Sequence, residues 1–368
     1  MELNNEIVLN ALRKVAEPDL GKDIVELGLV SNLEIDGKKI RFTVRVSNPA
    51  MHSRKRMEEA CIFNVQRSLG NDVQVEVNVE GIEIDAGPEL RKVLPGVKNI
   101  IAVASGKGGV GKSTVTANLA VGLASRGYKV GLVDADIYGP SMPLMLDVFD
   151  EKPGTVKRGE KSLMVPVESY GVKLLSIGFF ADPDQAVVWR GPMASKALNQ
   201  MFKDADWGEL DYMLIDLPPG TGDIHLSLVQ AVPLSGALIV STPQGIALAD
   251  AKKGVAMFQL PQINVPVLGI VENMSWFTPD ELPDNKYYIF GKEGAHDLAE
   301  DLKVPFLGEI PLVQSIREAS DVGRPAVLQS DTPSQKAFDH IIDELLSEME
   351  RRKDDPLSKV VRKTPVAT

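Results

Sequence analysis

Gly106-Lys-Gly-Gly-Val-Gly-Lys-Ser-Thr114 has the residue types and spacing of a phosphate cradle, G-x-x-x-x-G-K-[ST]. Glycines at 106, 108, 109 and 111, with Val110 between them, let backbone N–H groups converge on a polyanion without Cβ clashes, and a helix beginning near Lys112 adds its positive dipole end. In this pattern Lys112 neutralises β- and γ-phosphate charge, Ser113 ligates Mg2+, and Thr114 can donate to the α-phosphate. A second lysine, Lys107, stands one residue into the loop, where an ordinary loop of this kind does not need it. Phosphoryl transfer also asks for carboxylates around the metal and the attacking water. Two apolar runs end in them: Val130 to Val133, followed by Asp134-Ala-Asp136, and Met213-Leu-Ile-Asp216, followed by Leu-Pro-Pro-Gly-Thr-Gly-Asp223. Asp216 reads as the end of a Walker B strand, holding Mg2+ indirectly, with glycines that free the next loop to move when the γ-phosphate leaves. Asp223 suits a helix N-cap and a functional acid equally well.

These groups need a scaffold that brings strand ends together. Ile100 to Val103, Val130 to Val133, Met213 to Asp216, Ala237 to Val240 and Val267 to Val271 are continuous apolar runs separated by helical segments, as expected of parallel strands buried on both faces. The expected fold class is therefore α/β: a doubly wound, mostly parallel sheet carrying the P-loop, preceded by a small α+β domain. That smaller domain, 1–86, is expected from a helical face at Ile7, Leu9, Leu12 and Val15, a turn at Asp36-Gly37, a period-two strand from Lys39 to Val46, a helix from about Ser53 to Leu69, and a strand from about Val73 to Val79. Residues 87–98, with Pro and Gly and no periodicity, read as a linker; 99–350 form the nucleotide domain, closed by an amphipathic helix burying Phe338, Ile341, Ile342, Leu345 and Met349; and 351–368, with six basic and two acidic residues, read as a flexible tail.

The length of 368 residues gives a prior of two or three domains at roughly 150 each. A net charge of -11 argues against a nucleic-acid surface, and DNA partitioning is disfavoured on that ground. No run approaches the ~20 apolar residues of a membrane span, and the polar start lacks the regions of a signal peptide, so no membrane partner is expected and the expected compartment is the cytoplasm. One cysteine, Cys61, excludes an intrachain disulfide.

The loop with its extra lysine resembles the deviant Walker A of the MinD, ParA and nitrogenase iron protein class. That resemblance implies that Lys107 reaches across a face-to-face homodimer to the partner's nucleotide, as an arginine finger does. It also assigns Asp136 to the attacking water and Asp134 to the Mg2+ shell, with the two roles left open to exchange, and it favours Asn273, after the strand ending at Val271, for the adenine base over an Asx turn. Together with Trp189 to Met193, Glu272 to Ser275 and Gly308 to Pro311, these motifs look like the Mrp (ApbC-type) ATPases, and Glu17 to Leu20 with Asp23 to Val30 are similar to the small domain that precedes the ATPase in many of them. The family implies a homodimer that binds and hydrolyses ATP with Mg2+, carries a [4Fe-4S] cluster, and works with apo iron-sulfur proteins and assembly factors.

In that family a Cys-x-x-Cys pair follows the Asn-Met-Ser segment. Here Ser275 to Gly291 has no cysteine, and Pro279 and Leu282 fall about where the pair belongs. Met51 stands where the small domain commonly has a reactive cysteine. Cys61, between Ala60 and Ile62, is expected to be a buried small hydrophobe. His52, His225, His296 and His340 are too scattered for a metal motif and are expected to be ordinary surface or capped histidines. Asp280, Glu281 and Asp284 are expected in a solvated loop, and Trp276, Phe277, Tyr287, Tyr288 and Phe290 in the core or a dimer interface. The second reading left open is a nucleotide-gated dimeric interaction ATPase that carries no cluster.

Overall fold

The structure is a computed structural model that describes residues 4–15, 23–46, 51–70, 72–81, 93–137, 139–159, 161–180, 191–261, 263–279, 281–282 and 284–354. Contacts divide the chain after Gly87 into two compact units.

The first unit runs α1 (Asn5–Leu12), β1 (Val30–Asp36), β2 (Lys39–Val46), α2 (Met51–Leu69), β3 (Gln74–Gly81). Its sheet has the order β1-β2-β3, with β1 antiparallel and β3 parallel to β2. Gly37, at φ +57, makes the turn that sets Asp36 opposite Lys39. Alternation along β2 buries Ile40, Phe42 and Val44 against the Met57, Cys61 and Val65 stripe of α2. On α1 the buried residues are Val8, Ala11 and Leu12, with Val15 after it; Ile7 and Leu9, expected inward, are only half-buried. The reason is geometric: 8, 11/12 and 15 follow the three-to-four spacing of one helix face, and 7 and 9 flank it.

The second unit runs β4 (Val97–Ala104), α3 (Lys112–Ser125), β5 (Val130–Asp134), α4 (Met142–Met145), β6 (Gly154–Arg158), β7 (Lys161–Val165), β8 (Val167–Ser169), β9 (Val172–Ser176), α5 (Gly191–Lys203), β10 (Leu210–Asp216), α6 (Asp223–Ala231), β11 (Gly236–Ser241), α7 (Gly245–Phe258), β12 (Val267–Asn273), α8 (Gly294–Leu302), β13 (Phe306–Ile310), α9 (Gln314–Asp321) and α10 (Pro333–Asp354). Eight strands form one sheet, β13-β12-β11-β4-β10-β5-β9-β8, parallel except for the β8 edge; β6 and β7 make a separate hairpin. Both faces are covered. Ile100, Ala102 and Ala104 of β4 pack toward α5, α6, α7 and α8, while Ile101 and Val103 pack toward α3 and α10. This two-sided burial explains why the five expected strands read as unbroken apolar runs. β13, an edge strand, and β9, next to the other edge, carry Gly308 and Glu309 or Lys173 within the strand and escape that pattern.

Two boundaries differ from the sequence reading. Leu94 is buried in the second unit's core and β4 opens at Val97, so 93–98 are part of that unit rather than linker. α10 continues to Asp354, four residues into the expected tail, because Arg351 and Arg352 both bind Glu348 one turn back and Arg352 also donates to the Val267 carbonyl at 3.1 Å. The five apolar residues expected inward on α10 are all buried.

Candidate functional site

β4, β5 and β10 are adjacent, and Asp134 and Asp216 sit opposite each other in register at their carboxyl ends. The loop 105–111 leaves β4 at this edge and enters α3. Gly106 lies so close to α7 that a Cβ would stand 2.1 Å from the Asp250 carbonyl carbon. Gly111, which precedes α3, has φ +80, and a Cβ there would meet the Asn273 amide nitrogen at 2.2 Å. Glycine is required at both places, by close approach in one and by left-handed backbone as well in the other.

Asn273 ends β12. Its Nδ2 donates to the Val110 carbonyl at 2.9 Å and its Oδ1 accepts from the Met274 N–H at 3.0 Å. The residue expected at the adenine base is buried and braces the phosphate loop, held in place because β12 ends beside that loop.

Lys112 is only 5% exposed. Its Nζ donates to Asp216 Oδ2 at 2.7 Å, contacts Ser113 Oγ at 3.2 Å, and lies 3.8 Å from Asp136 Oδ2. Ser113 donates to the same Asp216 oxygen at 2.6 Å, and the other oxygen, Oδ1, accepts from Thr116 Oγ1 at 2.7 Å. Thr116 went unnoticed in the sequence. It lies one turn after Lys112, whose carbonyl it also contacts at 2.9 Å, and that spacing was the available signal. A buried ammonium is met here by carboxylate and hydroxyl oxygens, so it is not left unpaired. Ser113 and Asp216 offer hard oxygen donors side by side, the chemistry that Mg2+ takes together with phosphate and water.

The two acids after β5 differ. Asp134 is fully buried; Oδ2 accepts from Ser176 Oγ at 2.8 Å and from the Met142 N–H at 3.2 Å, and Oδ1 accepts from the Asp136 N–H at 3.2 Å. Expected in the Mg2+ shell, it also braces the turn that carries Asp136, its oxygens engaged by Ser176, Met142 and the Asp136 N–H. Burial, reinforced by the Asp216 charge, pushes its carboxyl up to about 7, against the pull of Ser176, Met142 and Lys112. Asp136 is the acid that stands toward the lysine.

Past β10, the Gly220 N–H donates to the Ser105 carbonyl at 3.0 Å, tying the 217–222 loop to the phosphate loop. His225, expected to be an ordinary surface or capped histidine, is buried on α6 with Nε2 2.6 Å from the Pro218 carbonyl. Burial and, in smaller part, Lys112 hold its imidazole below the usual range despite that carbonyl. The neutral ring therefore carries its proton on Nε2 and clamps the loop. Lys107 is half-buried and its side chain pairs with no other among the described residues, while Gly108 and Gly109 are exposed.

Among the described residues of 275–291, Phe277 and Tyr287 are joined by main-chain hydrogen bonds of 2.9 and 2.8 Å. Tyr287 and Tyr288 are exposed and Trp276, Phe277 and Phe290 half-buried, so the aromatic run is not core. Cys61 is buried as expected, and among the described residues no three His, Cys, Asp or Glu side chains are grouped to hold a metal ion. Residues 17–20, 47–50, 189–190 and Asp280, and the side chains of Met51, His52 and Asp223, fall outside the described residues; the helix that Asp223 opens has Gly222 at its N-cap position.

Residues 96–346 match the ParA-type family described as NUBPL iron-transfer P-loop NTPase. The chain belongs to that family. Residues 5–79 of this NTPase match the family described as iron-sulfur cluster assembly protein. It is 45% identical to an iron-sulfur cluster carrier protein of Synechocystis over 91% of this chain and 95% of that one, and 48% identical to the iron-sulfur cluster transfer protein NUBPL of Dictyostelium discoideum over 72% and 80%. Among solved structures, a nucleotide-binding protein of Archaeoglobus fulgidus in complex with ADP superposes with a TM-score of 0.58 at 38% identity, covering 68% of this chain and 95% of that one. The P-loop NTPase fold thus accounts for the second unit, and no described helix is long and apolar enough to cross a membrane.

Proposed function

We propose that this NTPase binds and hydrolyses ATP with Mg2+ as a homodimer in the cytoplasm, and that the nucleotide cycle serves the transfer of iron-sulfur clusters to apoproteins. The observation that supports this most is the Lys112, Ser113, Thr116 and Asp216 network at the mouth of a glycine loop, in a chain 45% identical to a cluster carrier over 91% of its length. In this reading the N–H groups of 106–111 and Lys112 hold the β- and γ-phosphates, Thr114 meets the α-phosphate, and Ser113 and Asp216 hold the metal, Asp216 through water. Asp136 orients the attacking water and Asp134 fixes its position. Lys107 acts on the partner subunit's nucleotide, stabilising charge that develops in the transition state. Residues 1–86 form a small domain that meets clients or assembly factors, joined to the nucleotide domain by the segment beginning at 87.

Calorimetry with MgATP, steady-state phosphate release and sedimentation test this reading on wild type, Lys112→Ala and Lys107→Ala. Wild type should bind MgATP and dimerise with it, Lys112→Ala should not bind, and Lys107→Ala should bind but turn over slowly. Absence of MgATP binding by wild type would end the proposal, and an unchanged rate in Lys107→Ala would remove the lysine's role.

A further inference from the structure

We infer that this chain acts on iron-sulfur clusters whose thiolate ligands all belong to other proteins, and that it supplies none itself. The inference rests on the cluster-transfer reading and narrows it to a catalyst or adaptor of exchange between two cysteine-bearing partners.

Clusters of this kind are held by cysteine thiolates, with histidine as the occasional substitute. Cys61 is the chain's one cysteine. It is enclosed in the first unit's core with Met57, Val65, Ile40 and Phe42, and burial pushes its thiol up to about 12, so at neutral pH it is a protonated, inaccessible hydrophobe. His225 is buried and engaged by the Pro218 carbonyl. His296 and His340 border one cavity of about 590 Å³ together with Glu293 and Glu309, but no three such side chains among the described residues are placed as a ligand set. His296 instead stacks edge-on against Phe306, 5.1 Å between centroids.

The loop where a Cys-x-x-Cys pair is missing is built from other interactions. The Trp276 carbonyl accepts from the Leu312 N–H at 2.7 Å, and the Lys286 ammonium lies 3.7 Å from the centroid of the Trp276 ring. Leu282, Tyr287, Tyr288 and Ile289 are exposed. Apolar side chains and a cation stand there, while Glu281 and Asp284 are hard donors unsuited to replace sulfur.

Exchange therefore runs between other proteins. Each iron-thiolate bond to the donor breaks as one to an acceptor cysteine forms, and the acceptor thiol's proton passes to the departing donor thiolate. The cluster keeps its atoms and its electrons.

The test is anaerobic reconstitution of the full-length chain with ferrous iron, sulfide and dithiothreitol, followed by desalting, iron and sulfide assay and absorption spectra. MgATP calorimetry runs on the same samples. Wild type should hold no more iron or sulfide than Cys61→Ala and show no visible thiolate-to-iron charge-transfer band, the absorption of such clusters. Pro279→Cys/Leu282→Cys, on the exposed loop, should gain all three signals. In a mixture with a cysteine-ligated [4Fe-4S] donor protein and an apo acceptor, MgATP and the chain should change the rate of transfer while gel filtration leaves iron only on the other two. A cluster on wild type that is lost in Cys61→Ala, or one that persists in both, overturns the inference. Loss of MgATP binding is a separate result that strikes the nucleotide reading instead.

Discussion

Replacing Asp134 by asparagine tests whether the buried carboxylate pair at the sheet edge is set as described. In the folded chain Asp134 holds its proton up to about pH 7, against 3.8 for an ordinary carboxyl. The folded state therefore binds a proton that the unfolded chain has released throughout that interval. The stability this contributes is fully present below the unfolded value and is lost as pH rises through the folded one. Roughly three units at 1.36 kcal/mol each set a ceiling of about 4 kcal/mol, of which roughly 2 to 3 kcal/mol falls between about pH 5 and pH 7. Titrating groups remote from this pair act on both proteins alike, so the difference between the two curves reports this carboxyl together with its Asp216 neighbour. The amide introduced by Asp134→Asn also turns an NH2 toward one of the donors from Ser176, Met142 or Asp136, which costs about 1 to 3 kcal/mol at every pH. Urea unfolding without magnesium or nucleotide, at several pH values, should show wild type losing stability relative to Asp134→Asn as pH rises toward 7, so that the variant's deficit at low pH shrinks and then reverses. Parallel curves would refute the assignment.

Thr116→Val removes the donor to Asp216 Oδ1 and should lower stability by about 1 to 3 kcal/mol in urea titration; an unchanged midpoint contradicts the network. Gly106→Ala, whose Cβ would stand 2.1 Å from the Asp250 backbone, should displace the phosphate loop and weaken MgATP binding at least about tenfold, or 1.4 kcal/mol, by calorimetry while circular dichroism still reports a folded chain. Wild-type affinity would mean that the loop tolerates the displacement. Asn273→Ala unbraces Val110 and should weaken ATP and GTP equally, by about 1 kcal/mol. A loss confined to ATP would restore the base contact.

The residue types at 106–114, the acids at the ends of two apolar runs, and the doubly wound sheet were legible because each follows from local chemistry: glycines that admit a polyanion, and strands buried on both faces that must be apolar throughout. The amphipathic α10 was legible for the same reason, since one helix face sees the core. Edge-side strands β9 and β13 were not, because a strand that is less enclosed can carry Lys or Glu, and the glycine of β13 answers to helix α10 packed against it. Division of labour within the site also lay beyond the sequence. Asp134 and Asp136 are two residues apart and chemically alike, and only the arrival of Ser176 from β9 and Met142 from α4 encloses one of them and leaves the other toward Lys112. Asn273 and His225 became braces of the phosphate and switch loops through partners 163 and seven residues away. Sequence alone determined which groups are present and which are missing, cysteine above all. Tertiary structure decided which are desolvated and which face a partner, because burial and hydrogen-bond geometry depend on chain segments that meet only in the folded state.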